Sequence, residues 1–246
     1  MSHGATEPPE LPGLATQLMQ GATNSQKDAF QQVNSKAKRA ITLDMLVLIE
    51  NAIARKGDWS PYEKSLRFSV TLLAWWGSFQ LGELLSNRKK EFHASSSLLA
   101  SDLKFHDGSI SVWIRNPKIA KESTGDVVEV WSVAELPDLD PIMALKKFLQ
   151  FRKDSLGDSP ELPLFLHENG AIFTKQEMNC DLKDLLSVYP ELTTSLDKWT
   201  GHCFRSGLPT LLAIMGYKAG CVHIPLQCLY KFYKENPTKS GQEMKF

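Results

Sequence analysis

His202 and Arg205 stand three positions apart in the run Gly201-His202-Cys203-Phe204-Arg205-Ser206-Gly207. On a helix that spacing puts both side chains on one face. An imidazole donor beside a guanidinium fork suits a pentacoordinate phosphorane, whose non-bridging oxygens carry the charge that develops in phosphoryl transfer. In isolation the run reads more simply as a capping histidine with a surface arginine, so the phosphoryl reading depends on what accompanies it along the chain. Lys118 and Lys121 share the loop 117–126, and Tyr230 and Tyr233 stand near the C-terminus. Arg88-Lys89-Lys90 is a short basic run that reads equally as a solvated helix end or as a phosphate contact. Cys221, His223 and Cys228, even with Cys203 and His202, have the spacing C-x-H-x₄-C, which matches no regular zinc pattern. No metal is expected.

The elements that must position these residues are legible from periodicity. Leu43, Leu46, Val47, Ile49 and Ile53 recur at helical spacing after Thr42, and Gly57 follows as a stop. Ser60-Pro61-Tyr62-Glu63 is a helix start, with serine at the cap, proline at the first helical position and Glu63 reaching back to the cap amide. The helix it opens, through Trp75 and Trp76, is apolar on most faces and should be central. Trp75, Trp76, Phe79 and Phe68 therefore read as core and not as a stacking platform for bases. Leu81 to Asn87 reads as a further short helix. From Ser101 to Val133 the period falls to 2: Leu103-Lys104-Phe105, a turn at His106-Asp107-Gly108, then Ile110, Val112 and Ile114, and after a loop Val127 to Trp131. Helices return at Asp140-Pro141, at the capping box Thr174/Glu177, and at His202. The acidic stretch Glu129 to Asp140 reads as a solvated edge. The fold class expected is α+β: a mainly helical domain with a small three-stranded antiparallel sheet.

Composition excludes collagen-like, coiled-coil and wholly disordered classes: 246 residues, 42% hydrophobic and 23% charged. The longest apolar run, Val70 to Gly77, is far short of a membrane span. No basic leader with an apolar stretch opens the chain, and four cysteines make no disulfide framework, so a soluble intracellular protein with reduced thiols is expected. Net charge is zero, with 28 basic and 28 acidic residues, but it is segregated: residues 1–120 carry +3, 121–200 carry −7 and 201–246 carry +4. A basic face could form where the two ends meet. Residues 1–40 read as a disordered or partly helical lead-in, and 41–246 as one domain with an atypical tail from about 217.

Taken in order, three segments resemble the tyrosine recombinase (phage integrase) superfamily, most of all its eukaryotic Crypton-like transposon branch. Gly77-Ser78-Phe79-Gln80-Leu81-Gly82-Glu83-Leu84-Leu85 matches a motif like G-x-F-R-x-x-E-L-L after a long apolar helix. Asn116-Pro117-Lys118 falls on the β-hairpin, and Gly201 to Thr210 matches G-H-x-F-R-x-G-x-x-T. The likeness covers about residues 40 to 216. It implies a catalytic domain that cuts and rejoins double-stranded DNA without a metal or cofactor, through a 3′-phosphotyrosine. It further implies a nuclear location, no membrane, and a homo-oligomer assembled on DNA. Lys118 would protonate the leaving 5′ oxygen, with Lys121 an alternative, while His202 and Arg205 would stabilise the phosphorane. Tyr233, or Tyr230, would be the nucleophile, and Arg88, Lys89 and Lys90 would meet phosphates. Gln80, Lys118, His202 and Arg205 should then line one concave surface.

Three departures qualify the resemblance. The family's first catalytic arginine falls on Gln80, a neutral amide in place of a forked cation. Pro209 sits inside the helix that must position Arg205. Between Arg205 and the C-terminus no G-R-W-x-S-x-x-Y segment occurs, and neither Tyr230 nor Tyr233 has the Trp or His that normally precedes the nucleophile. The expectation is a truncated or degenerate copy with impaired catalysis. Its alternatives are a catalytically inactive DNA-binding or protein-interaction remnant of a mobile element, and an unrelated helical scaffold with a fortuitous HxxR.

Overall fold

The computed structural model describes residues 40–87, 97–115, 125–134, 136–193 and 196–214. The lead-in before Ala40 and the tail from 215 lie outside them. So do Arg88, Lys89, Lys90, Lys118, Lys121, Cys221, His223, Cys228, Tyr230 and Tyr233.

Helix α1 (Leu43–Arg55) starts at Thr42, whose hydroxyl accepts from the Met45 N–H. It ends two residues before Gly57, where Lys56 turns to extended backbone. Helix α2 (Pro61–Trp76) is capped by Ser60, whose Oγ accepts from the Glu63 N–H at 3.3 Å. The Glu63 side chain does not return to the cap amide as the sequence suggested. It turns to His167, Arg67 and the Glu168 N–H, which offer three donors, two of them cationic or able to become so.

As expected, α2 is the axis of the core. Leu66, Val70, Leu72, Leu73, Ala74 and Trp75 are fully buried. Helix α4 (Pro141–Leu156) lies antiparallel along it. Tyr62 meets Phe148 edge-on, Ser69 Oγ donates to the Ala144 carbonyl, and Trp76 Nε1 donates to the Leu139 carbonyl. Asp140, assigned from sequence to a solvated edge, is instead 2% exposed. Its carboxylate accepts from Ser132 Oγ and from the backbone N–H groups of Val133, Ile142 and Met143. It caps α4 and ties that helix to the sheet, so its charge is met by the orphan amides of a helix start.

The sheet is antiparallel in the order β1 (Leu103–Phe105), β2 (Ser109–Ile114), β3 (Asp126–Trp131). Register pairs Leu103 with Val112 and Ile110 with Val130. Ile110, Val112, Ile114 and Val130 face the core, while Trp113 and Val127, paired across the strands, are exposed. A fork from Arg115 to Asp102 (2.8 and 2.6 Å) pins the end of β2 to the turn before β1.

Helix α3 is shorter than read from sequence, Leu81–Leu84 only. The chain then becomes extended because Ser86 pairs with Thr174 in an isolated parallel bridge, and a strand-like partner excludes a helix there. Helix α5 (Lys175–Ser187) carries the capping box expected: Glu177 N–H to Thr174 Oγ1, and Thr174 N–H to Glu177 Oε2. The short α6 (Pro190–Thr193) and then α7 (His202–Ile214) complete the described fold. Pro209 stays inside α7: it supplies no N–H to the Arg205 carbonyl, yet the helix runs through to Ile214. Among the described residues no helix is long and apolar enough to cross a membrane.

Candidate functional site

The end of α2 determines where Gln80 emerges. Phe79 N–H bonds back to the Ala74 carbonyl and Ser78 N–H to the Trp75 carbonyl, a Schellman closure that requires left-handed backbone at the position between. That position is Ser78, at φ 52°. The turn buries the Phe79 ring (2% exposed) and sends the chain out as Gln80, the residue before α3.

Glu83 closes the next turn. Its Oε2 accepts from the Gln80 N–H at 2.8 Å, and its Oε1 faces Arg205 Nη1 at 3.4 Å. The Glu83 side chain is only 9% exposed and that of Arg205 32%. One part-buried carboxylate thus joins the two motif segments, 122 positions apart in the chain.

Helix α7 is located by close contacts along its length. Gly207 lies against Trp75: a Cβ there would fall on the indole nitrogen and within 2.5 Å of the Ile41 carbonyl oxygen. That same carbonyl accepts from Trp75 Nε1 at 2.6 Å, and the Ile41 N–H donates to the Cys203 carbonyl at 3.1 Å. At the helix start a Cβ on Gly201 would meet the Leu81 side chain at 2.5 Å. The Gly201 N–H donates to Asn179 Oδ1 at 2.7 Å. The Cys203 thiol, 1% exposed, accepts from the Thr200 N–H and donates to the Lys198 carbonyl, both at 3.4 Å, closing the turn before α7. The helix start expected at His202 is observed, and both His202 and Arg205 are half-buried.

The structure therefore brings Arg205 to the Gln80 turn. Lys118, the tyrosines and the Arg88 run lie outside the described residues. Two participants were not assigned roles from sequence. Glu83 was visible as Gln80-x-x-Glu83, the spacing at which a carboxylate returns to the amide that opens a helix. Asn179 left no local signal, because its partner is 22 positions away. Among the described residues no group of three His, Cys, Asp or Glu could hold a metal.

The fold is that of the tyrosine recombinase catalytic domain, the mainly helical class with a small three-stranded antiparallel sheet that the sequence suggested. The chain is similar to the XerH site-specific recombinase bound to difH substrate in a pre-cleavage complex. The TM-score is 0.52 at 14% identity, over 86% of this chain and 57% of that one. A post-cleavage complex of XerH with palindromic difH gives 0.51 at 14%, over 84% and 54%. A Flpe–Holliday junction complex gives a lower score, 0.48 at 14%, over 87% and 51%. The chain thus spans little more than half the length of the recombinase structures it matches. No family model matches the sequence, and no curated protein does.

Proposed function

We propose that this chain binds duplex DNA across the surface carrying Gln80, His202 and Arg205, and that it derives from enzymes that cut and rejoin DNA strands. The observation that carries this is the meeting of Arg205 with the Gln80 turn on one part-buried carboxylate, within a recombinase fold. In the parent reaction a tyrosine oxygen attacks phosphorus, the 5′ oxygen leaves with a proton, and a 3′-phosphotyrosine preserves the bond energy for rejoining. Tyr233 or Tyr230 takes the nucleophile's place in this reading, and Lys118 or Lys121 that of the acid. His202 and Arg205 stabilise the phosphorane, with Arg88, Lys89 and Lys90 on flanking phosphates. No metal or cofactor takes part. The residues matching the Crypton-like motif support a transposon-derived lineage, and with it action in the nucleus as a homo-oligomer on DNA.

Cleavage in this copy is impaired. Gln80 offers a neutral amide where the family has a fork, and loss of such a donor slows the chemical step by roughly 10²-fold. The sequence around Tyr233 lacks the residues that flank the family's nucleophile. A second reading, a remnant that binds DNA or protein without chemistry, is favoured by the same Gln80. A nicked suicide duplex separates the two. The expected result is no SDS-resistant adduct after long incubation, and none with Gln80→Arg alone, because a donor cannot replace a nucleophile. A protease-sensitive adduct that Tyr233→Phe abolishes would overturn the impairment and leave a working recombinase. Absence of any duplex binding at low salt would overturn the DNA role itself.

A further inference from the structure

We propose that Asn179 is a positioning residue: its side chain sets the start of α7, and hence where His202 and Arg205 stand relative to the Gln80 turn. Asn179 lies on the second turn of α5 and is half-buried. A backbone N–H must be met by an acceptor, so the 2.7 Å bond from Gly201 selects the amide oxygen and fixes the side chain's orientation. Gly201 immediately precedes His202, so this bond acts on the first turn of α7.

The same end of α5 also grips the other half of the site. The Lys175 N–H donates to the Ser86 carbonyl at 2.9 Å, and Ser86 bridges Thr174. The Lys175 side chain passes 3.8 Å from where a Cβ on Gly82 would stand. Two turns of one helix therefore hold the segment containing Gln80 and Glu83 and the segment containing His202 and Arg205. The Arg205–Glu83 contact, at 3.4 Å, spans the two segments that α5 holds. Lys175 and Thr174 act through backbone groups, and Asn179 is the side chain that completes the arrangement.

The positioning itself is independent of what Arg205 binds. Its consequence for DNA rests on the function proposed above, and the experiment keeps the two apart. In the full chain, three variants are compared by NMR: Asn179→Ala, the isosteric Asn179→Asp, which retains the acceptor oxygen, and Lys56→Ala. Lys56→Ala removes the ion pair of Lys56 with Asp184 at the far end of α5, and so controls for general loosening of the helix. Asn179→Ala is expected to speed hydrogen exchange of the Gly201 amide by roughly tenfold or more, as for an opened local bond, and to move the Arg205 Nε–Hε resonance. Asn179→Asp should restore both signals to within about twofold of the parent exchange rate, and Lys56→Ala should change neither. Unchanged Gly201 exchange in Asn179→Ala, or an equal effect from Lys56→Ala, would overturn the proposal. Affinity for a labelled 30-base-pair duplex is then measured for the parent chain, Arg205→Ala and Asn179→Ala. If Arg205→Ala binds like the parent, the DNA reading fails while the NMR result still decides the role of Asn179. If Arg205→Ala weakens binding, Asn179→Ala should reproduce a substantial share of that loss, and a parent-like affinity would count against positioning.

Discussion

Ser78 combines two unfavourable features at one position. Its backbone is left-handed at φ 52°, which glycine adopts without strain, and its Oγ is buried with no hydrogen-bond partner among the described residues. The glycine that ordinarily occupies the left-handed place of a helix closure stands one residue early, at Gly77, whose own backbone is right-handed. Ser78→Gly should therefore stabilise the fold. Relief of the left-handed cost, roughly 1–2 kcal/mol, exceeds the added freedom of the unfolded chain, about 0.4–1 kcal/mol. A rise in Tm of about 2–4 °C per kcal/mol gained is expected, read by thermal unfolding, and a fall would show that the hydroxyl has a partner. Sequence alone pointed to a helix end here and to Gln80 beyond it. It could not say which of the two residues takes the unusual conformation, because that follows from which carbonyls the Ser78 and Phe79 amides reach.

At the scale of elements, α2, the turn before α5 and α5 itself are joined by a charged cluster distant in sequence. His167 Nδ1 lies 3.0 and 3.1 Å from the Glu63 oxygens, and its Nε2 is 3.6 Å from Glu177. Arg67 pairs with Glu63 and, at 2.7 Å, with Asp181, with its guanidinium 4.1 Å from the Trp59 ring centroid. Burial alone would raise Glu63, but hydrogen bonds from His167, the Glu168 N–H and Arg67 outweigh it and hold the carboxyl at about 2. The hydrogen bond to Glu63 raises His167, against its own burial. The signs follow by linkage. The Glu63 contribution is full above pH 4.5 and is lost as pH falls towards 2. The His167 contribution is full below pH 6.5 and is lost as pH rises through its elevated value. Asp44, which burial pushes to about 6, costs stability as pH rises from 3.8 through 6, against Glu63 and in the same direction as His167, so the useful measurement is a difference. Urea midpoints of the parent should fall from pH 6.5 into the alkaline range more steeply than those of His167→Gln. Parallel curves would remove His167 from the account.

The packing of α7 on α2 gives a further expectation. Gly207→Ala must push Trp75 from the Ile41 carbonyl or displace the helix, at about 1–3 kcal/mol. A lowered urea midpoint with unchanged slope checks it. Helix starts were legible at Thr42, Ser60, Asp140 and Thr174 because caps and periodicity are local. The bonds between elements were not. Glu63 left its own cap for His167, because that partner lies 104 positions away, on an element that no window around Glu63 contains.

For the molecule as a whole, zero net charge means that any affinity for DNA is local. Three or four phosphate contacts, from among Arg88, Lys89, Lys90 and Arg205, should give a slope of log affinity against log salt near −3, because each contact adds about 0.9. Fluorescence anisotropy with a duplex tests this. Arg205→Ala should flatten the slope by about one unit on all sequences alike. A salt-independent affinity would rule out a phosphate-bound surface. The ordered set of motifs conveyed the fold and the neighbourhood of Arg205 and Gln80, because each lies on an element with its own strong signal. The carboxylate that joins them emerged only once the elements were assembled.

The Ile41 amide also sets an order of events at synthesis. Its acceptor, the Cys203 carbonyl, belongs to a residue translated about 160 positions later, which at roughly 5–20 residues per second is some ten to thirty seconds. Trp75 can reach the Ile41 carbonyl well before that, so α1 and α2 can associate on the ribosome while the groove that receives α7 stands open. Through that interval the nascent chain exposes the buried face of Trp75. The surface on which the proposed chemistry depends cannot form until Arg205 has been made, long after the Gln80 turn.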